Sequence, residues 1–185
     1  MRIIAGDFRG RPLTPIGKGD QAAHLRPTSD RVRESLFSAL ASRDVIEGAQ
    51  VLDVFAGSGA LGLEALSRGA AHVTFVDDGR IAQRLISKNI DLLQVAARAR
   101  LIKRDVCKLE PTDDTPFDLI FLDPPYGKSM GQKAIEHLAQ HGWIAPGAFI
   151  VWEESTSMAP PPGFSLLDQR KYGDTHVTFL EADDS

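Results

Sequence analysis

From Gln50 onward the chain alternates short β-rich runs with helical stretches, and no other feature narrows its possible folds as much. The runs are VLDVF, HVTFVD, RLIKRD, FDLIFLD and AFIVWEE, most of them separated by a helical segment. Such alternation predicts parallel strands joined by crossover helices in a doubly wound α/β sheet. Uninterrupted apolar stretches such as Leu119 to Leu122 suit strands buried on both faces. Pro160-Pro161-Pro162-Gly163 ends the pattern, after which FSLLDQRKYG and DTHVTFLEA read as an antiparallel hairpin turning at Gly173-Asp174. A sheet of seven strands, mostly parallel, is therefore expected. The 185 residues suit one domain, with 1–27 as an N-terminal extension and 28–185 as a helix followed by the sheet.

The extension contains two short extended pieces, RII and RPL, with FRG as turn chemistry between them, which predicts a small hairpin. Residues Gly17 to His24 read as loop. In RPTSDRVRESLFSAL, Pro27 blocks a helix before it, Thr28 or Ser29 is placed to cap one, and Val32, Leu36, Phe37 and Leu40 share a helical face. The net charge of -4 speaks against a polyanionic partner, but it hides an asymmetry. Residues 1–33 hold seven basic side chains (Arg2, Arg9, Arg11, Lys18, Arg26, Arg31, Arg33) against three acids, a local +4 on a body of -8. A basic arm of this kind suits either contact with a nucleic acid or a solvated, flexible segment. One cysteine, Cys107, and five scattered histidines offer neither an internal disulfide nor a metal-ligand spacing. Cys107 reads as a small hydrophobe, and no metal is expected. No signal peptide or membrane span is evident, so the cytoplasm is the expected location.

After the first β run comes Asp53-Val54-Phe55-Ala56-Gly57-Ser58-Gly59-Ala60-Leu61-Gly62. Glycines at 57, 59 and 62 permit a tight strand-to-helix turn and let a ligand approach the backbone. The spacing alone is shared with nicotinamide and flavin enzymes, whose loop cradles a pyrophosphate. Asp53 shifts the balance: a carboxylate here repels a pyrophosphate and suits a cationic ligand such as S-adenosylmethionine, which carries a sulfonium and an ammonium. The second run ends in Asp77-Asp78, where an acid can accept from ribose hydroxyls, Asp77 being the choice. The third ends in Arg104-Asp105, and Asp105 is placed to accept from an adenine amino group, although a capping role would also explain it.

FLDPPYG, residues 121–127, puts an acid and two prolines straight after an apolar run. Prolines fix their own φ and push the preceding residue toward an extended shape, so this is a rigid turn at a strand end. A rigid turn can aim acceptors. An exocyclic amino group carries two N–H donors, which the Asp123 carboxylate and the Pro124 carbonyl can receive, while Tyr126 offers a ring for an extruded base. Those contacts would hold a nitrogen in line with a sulfonium methyl for direct displacement.

DVFAGSGALGLEALSRGA followed by FLDPPY resembles the class I S-adenosylmethionine-dependent amino methyltransferases. RIIAGDFRGRPL together with RPTSDRVRESLFSAL narrows the resemblance to the RsmD family, bacterial enzymes that methylate the N2 amino group of a guanine in small-subunit (16S) ribosomal RNA. The resemblance runs from Arg2 to the KYGDT turn. It implies a Rossmann-like class I methyltransferase fold, with Asp53, Phe55, Gly57, Ser58 and Gly59 at the methionine end of the cofactor, Asp77 at its ribose and Asp105 at its adenine. It further implies that Asp123, Pro124 and Tyr126 form the target-base pocket, and that Arg9, Arg11, Arg26, Arg31 and Arg33 face RNA, free or in an assembling 30S particle. Nothing requires a protein partner, and a monomer is expected. The rivals are an adenine-N6 methyltransferase, for which little chain is left to read DNA; a protein-glutamine methyltransferase, where Asn is expected at 123; and a non-catalytic ribosome-assembly factor.

Overall fold

The computed structural model describes residues 1–17, 25 and 28–184. Its first helix, α1 (Asp30–Ser42), is capped by Ser29, whose Oγ accepts from the Val32 amide at 3.2 Å. Of the predicted face, Leu36, Phe37 and Leu40 are fully buried and Val32 is half-buried. The alternating segments follow as β1 (Gln50–Val54), α2 (Ala60–Ser67), β2 (His72–Val76), α3 (Arg80–Leu93), β3 (Ala99–Ile102), β4 (Phe117–Leu122), α4 (Met130–Gln140) and β5 (Ile144–Glu154). The hairpin of β6 (Phe164–Tyr172) and β7 (Thr175–Ala182) completes the described elements. These strands form one sheet in the order β3-β2-β1-β4-β5-β7-β6. Strands β1 to β5 pair in parallel, whereas β7 runs antiparallel to both β5 and β6. The expected doubly wound sheet with a terminal hairpin is therefore present.

The sheet separates two apolar layers. Phe37, Leu40, Leu63, Phe75, Phe121 and Val151 lie in one, and Leu52, Ile120, Leu122, Ile135 and Trp152 in the other. At about 25 cal/mol per Å² of apolar surface removed from water, layers built from side chains this large are the main force holding helices to strands. The strand order reverses at β1, with β2 on one side and β4 on the other. This reversal of strand order opens a crevice at the carboxyl ends of the strands, where ligands of open α/β sheets sit.

Three segments depart from the sequence-based expectation. The strand β5 begins at Ile144, before the apolar run AFIVW, and passes through Pro146 and Gly147. A register shift between Phe117 and Leu119 of β4 accommodates this stretch, since proline has no N–H for a regular ladder. The strand β3 ends at Ile102, short of Arg104-Asp105. The N-terminal pieces make one isolated antiparallel bridge, Arg2 to Pro12, rather than a ladder, with Ile3 donating to the Arg11 carbonyl and Leu13 to that of Met1.

Candidate active site

The backbone leaves β1 through Phe55, at φ +56°, and turns through Gly57 (φ +60°) and Gly59 (φ +80°) into α2. Phe55 is not a residue that favours the left-handed region, so the turn holds it there against its preference. Asp53 is 1% exposed, and its Oδ2 accepts from the Gly62 amide at 2.9 Å. Burial pushes its carboxyl well above the usual range; the Gly62 amide opposes this, while the nearby charges of Asp123 and Asp77 add to it. Gly62 itself has no room for a side chain, for a Cβ there would stand 2.6 Å from the Phe75 ring and 3.1 Å from Asp53 Oδ2. Gly62→Ala is expected to destabilise the protein by roughly 1–3 kcal/mol through overpacking. Denaturant unfolding would measure it, and an unchanged midpoint would count against this packing.

Asp77 ties the loop to the next strand. Its Oδ2 accepts from the Gly57 amide at 3.0 Å and its Oδ1 from the Gly79 amide at 2.8 Å, so the carboxylate bridges the starts of two crossovers. Burial raises its pKa, against the pull of both amides. Asp77 and Asp78 both line the crevice. Asp105 does not. Because β3 ends early, Asp105 caps a single 3-10 turn over Val106–Lys108 and accepts from the Cys107 amide at 2.9 Å. The expectation that a strand ends at Asp105 is thus corrected: Asp105 follows β3 by three residues and serves as a cap. Cys107 is exposed, not the buried hydrophobe expected.

Across from the glycine loop, β4 leads into Asp123-Pro124-Pro125-Tyr126. The parallel pairing that sets Val54 beside Leu122 brings Asp53 and Asp123 to the ends of neighbouring strands. Two further contacts hold the turn. Gly127 donates to Glu154 Oε1 at 3.3 Å, an oxygen that also receives the Ser155 amide, and the Tyr126 hydroxyl lies 3.1 Å from Thr175 Oγ1 on β7. Tyr126 is therefore held at its hydroxyl end. Asp53, Phe55, Gly57, Ser58, Asp77, Asp123, Pro124 and Tyr126 all line one cleft of about 710 Å³, a size that suits a small-molecule ligand. Gly59 shapes the turn from behind, against Phe75 and Ile86. Among the described residues no group of three or more acidic, histidine or cysteine side chains is placed to hold one metal ion.

The N-terminal arm is docked, not a free tail. Buried Glu64 of α2 accepts from the Ile4 and Ala5 amides at 3.0 and 3.1 Å, Ser67 Oγ accepts from Phe8, and Asn89 Oδ1 of α3 accepts from Thr14 at 2.8 Å. Met1, Ile16 and Leu25 consequently wall the cleft together with Ser29 and Val32. Arg9, Arg11 and Arg31 are exposed, Arg11 lying over the Phe8 ring at 5.5 Å. Arg26 lies outside the described residues, as does nearly all of the loop that precedes it. Arg33 is a correction: it is fully buried, bonded to Asp30 at 2.7 Å and 3.7 Å from Glu64, so it cannot face RNA. Helical spacing explains the outcome, since position 33 falls beside Leu36 and Phe37 on the face that packs against α2.

Residues 1–181 match the family model described as Conserved hypothetical protein 95. The chain is 42% identical over 162 residues to the ribosomal RNA small subunit methyltransferase D of Escherichia coli K12, covering 87% of this chain and 78% of that one. The chain belongs to the RsmD family. The enzyme of the same name in Haemophilus influenzae is 36% identical over 179 residues, 94% of this chain and 89% of its own. The solved structure of the Escherichia coli protein YhhF superposes with a TM-score of 0.86 at 37% identity, covering 100% of this chain and 99% of that one. The fold is thereby that of class I methyltransferases.

The RsmD-family cleft also contains residues that the strand-end reading passed over. Glu153, 3% exposed, lines it from β5, and Glu154 on the opposite side chain direction anchors the proline turn. The signal for them is in the sequence: AFIVWEE ends in acids just as FDLIFLD does. Glu64, a charge in the otherwise apolar ALGLEALS, was a comparable sign of a buried partner.

Proposed function

We propose that the chain transfers a methyl group from S-adenosylmethionine to the N2 amino group of a guanine in small-subunit ribosomal RNA. The observation that carries this reading is the pairing of a buried carboxylate, Asp53, with a rigid acid-proline-proline-tyrosine turn across one cleft. A buried carboxylate that accepts from a helix amide, and whose pKa is pushed up, fits a cationic ligand group at that point. When bound, S-adenosylmethionine supplies an electrophilic methyl on a sulfonium. Asp53 balances positive charge beside it, the Gly57 and Gly59 backbone lets it approach, and Asp77 keeps lone pairs for ribose hydroxyls. Tyr126 stacks on the extruded base. The Asp123 carboxylate and the Pro124 carbonyl accept the two N–H groups of the amino nitrogen, which fixes its line of attack and stabilises the positive charge that develops there. The relatives' names support ribosomal RNA as the substrate class, and exposed Arg9, Arg11 and Arg31 give the arm a sign suited to its phosphates.

Incubation with methyl-labelled cofactor tests the reading, offered unmodified small-subunit particles, naked ribosomal RNA, duplex DNA and a protein extract in parallel. Label should enter ribosomal RNA and be recovered as N2-methylguanosine; label confined to DNA or protein overturns it. Arg9→Ala combined with Arg11→Ala should weaken RNA binding and reduce the salt slope by up to about 2, one unit for each phosphate contact removed. An unchanged slope would leave the arm as a solvated surface.

A further inference from the structure

One group in the cleft has no work in the reaction described above. Glu153 stands near the carboxyl end of β5, one residue past the Leu122 to Trp152 pair, so it flanks Asp123 on the neighbouring strand. It is 3% exposed, it lines the cleft, and its Oε1 has no hydrogen-bond partner among the described residues. Among the described residues no cation pairs with it, and the charges that bear on it are those of Asp123 and Asp53. A buried carboxyl oxygen without a donor is costly, and a bound ligand can supply the missing one.

We propose that Glu153 reads the target base, accepting a hydrogen bond from guanine N1–H beside the amino group that Asp123 and the Pro124 carbonyl receive. The inference rests on the function proposed above and adds its specificity element. Bases that carry an exocyclic amino group differ in the ring nitrogen next to it. In guanine N1 bears a hydrogen, whereas N1 of adenine and N3 of cytosine are acceptors. A turn that only receives an amino group cannot tell them apart. An acceptor one strand away, on the side of β5, can: it gains a bond from guanine and meets a lone pair in the other two. Burial, followed by the charges of Asp123 and Asp53, raises the Glu153 carboxyl well above its usual range, and a donor such as N1–H would oppose that shift. Asp53 already has the Gly62 amide and Asp77 has two amides, which leaves the base side of the cleft to Glu153.

The test compares Glu153→Gln with the wild type on RNA whose target guanosine, first mapped with the wild type, is kept or replaced by 2-aminopurine riboside. That analogue retains the 2-amino group but has an acceptor at N1. The wild type should strongly prefer guanine. Glu153→Gln should lose roughly 10- to 100-fold in kcat/KM on guanine, the range for one charge-assisted hydrogen bond. It should lose little or even gain on 2-aminopurine, because the amide can turn its NH2 to N1. Cofactor affinity by calorimetry should stay near that of the wild type. An unchanged guanine to 2-aminopurine ratio overturns the proposal, and so does a loss that follows cofactor affinity. Thermal melting checks folding; if Glu153→Gln is unfolded, Glu153→Asp must keep the guanine preference at lower rate, and loss of that preference overturns the proposal. A wild type that labels no guanine-containing RNA sinks the parent reading instead.

Discussion

Asp123→Ala is expected to lower kcat by roughly 100- to 1,000-fold while leaving cofactor affinity near that of the wild type, the range seen when one preorganised polar contact to a developing charge is removed. The separation follows from position. Asp53 and Asp77 sit on β1 and at the end of β2, on the glycine-loop side, and make their own bonds to Gly62, Gly57 and Gly79. Asp123 begins the proline turn on β4, and Pro124, Gly127 and Tyr126 hold that turn without its side chain. Asp123→Asn retains an acceptor oxygen but not the charge, and its activity should fall between alanine and wild type. Single-turnover rates with saturating RNA, beside calorimetric titration of cofactor, measure both quantities. Collapse of cofactor affinity in Asp123→Ala would mean that the acid belongs to the cofactor's side of the cleft.

Arg33→Ala should destabilise the protein by about 3–5 kcal/mol, the range for removing one partner of a buried ion pair. Arg33 and Glu64 are both fully buried, 3.7 Å apart, and Glu64 additionally holds Arg68 at 2.9 Å and the amides of Ile4 and Ala5. The carboxylate is the knot that ties α1, α2 and the arm together, so its loss of charge balance should also loosen the arm. Replacing both partners, Arg33→Met with Glu64→Gln, should recover much of the loss, because two neutral groups need no mutual compensation. Denaturant unfolding of Arg33→Met, Glu64→Gln and the double variant gives the coupling. An Arg33→Ala variant of native stability with a reduced salt slope for RNA binding would return this side chain to the RNA-facing set.

Much of this was legible beforehand because it depends on local pattern. The period of apolar residues, the capping Ser29, the prolines of 124 and 125 and the hairpin turn at Gly173 each act over a few residues, and each is where it was expected. Arg33 and Asp105 show where local reasoning stops. A count of basic residues treats Arg31 and Arg33 alike, yet two positions along a helix rotate a side chain by about 200°, and here that rotation separates solvent from core. Asp105 was placed by a strand that, in three dimensions, ends at Ile102. Strand ends depend on neighbours, and β3 pairs only with β2 through Val76 to Ile102.

By itself, the order of residues determined the doubly wound sheet, the glycine turn after β1 and the rigid acid-proline turn after β4, because backbone preference and apolar periodicity are properties of short segments. The tertiary structure alone decided which charges meet. It buried Arg33 against Glu64, docked a basic arm as a wall of the cleft, and set Glu153 beside Asp123 with its Oε1 unpaired among the described residues. The electrostatic worth of a charge depends on what surrounds it and on how much water is excluded, and both are set by segments far apart in the chain.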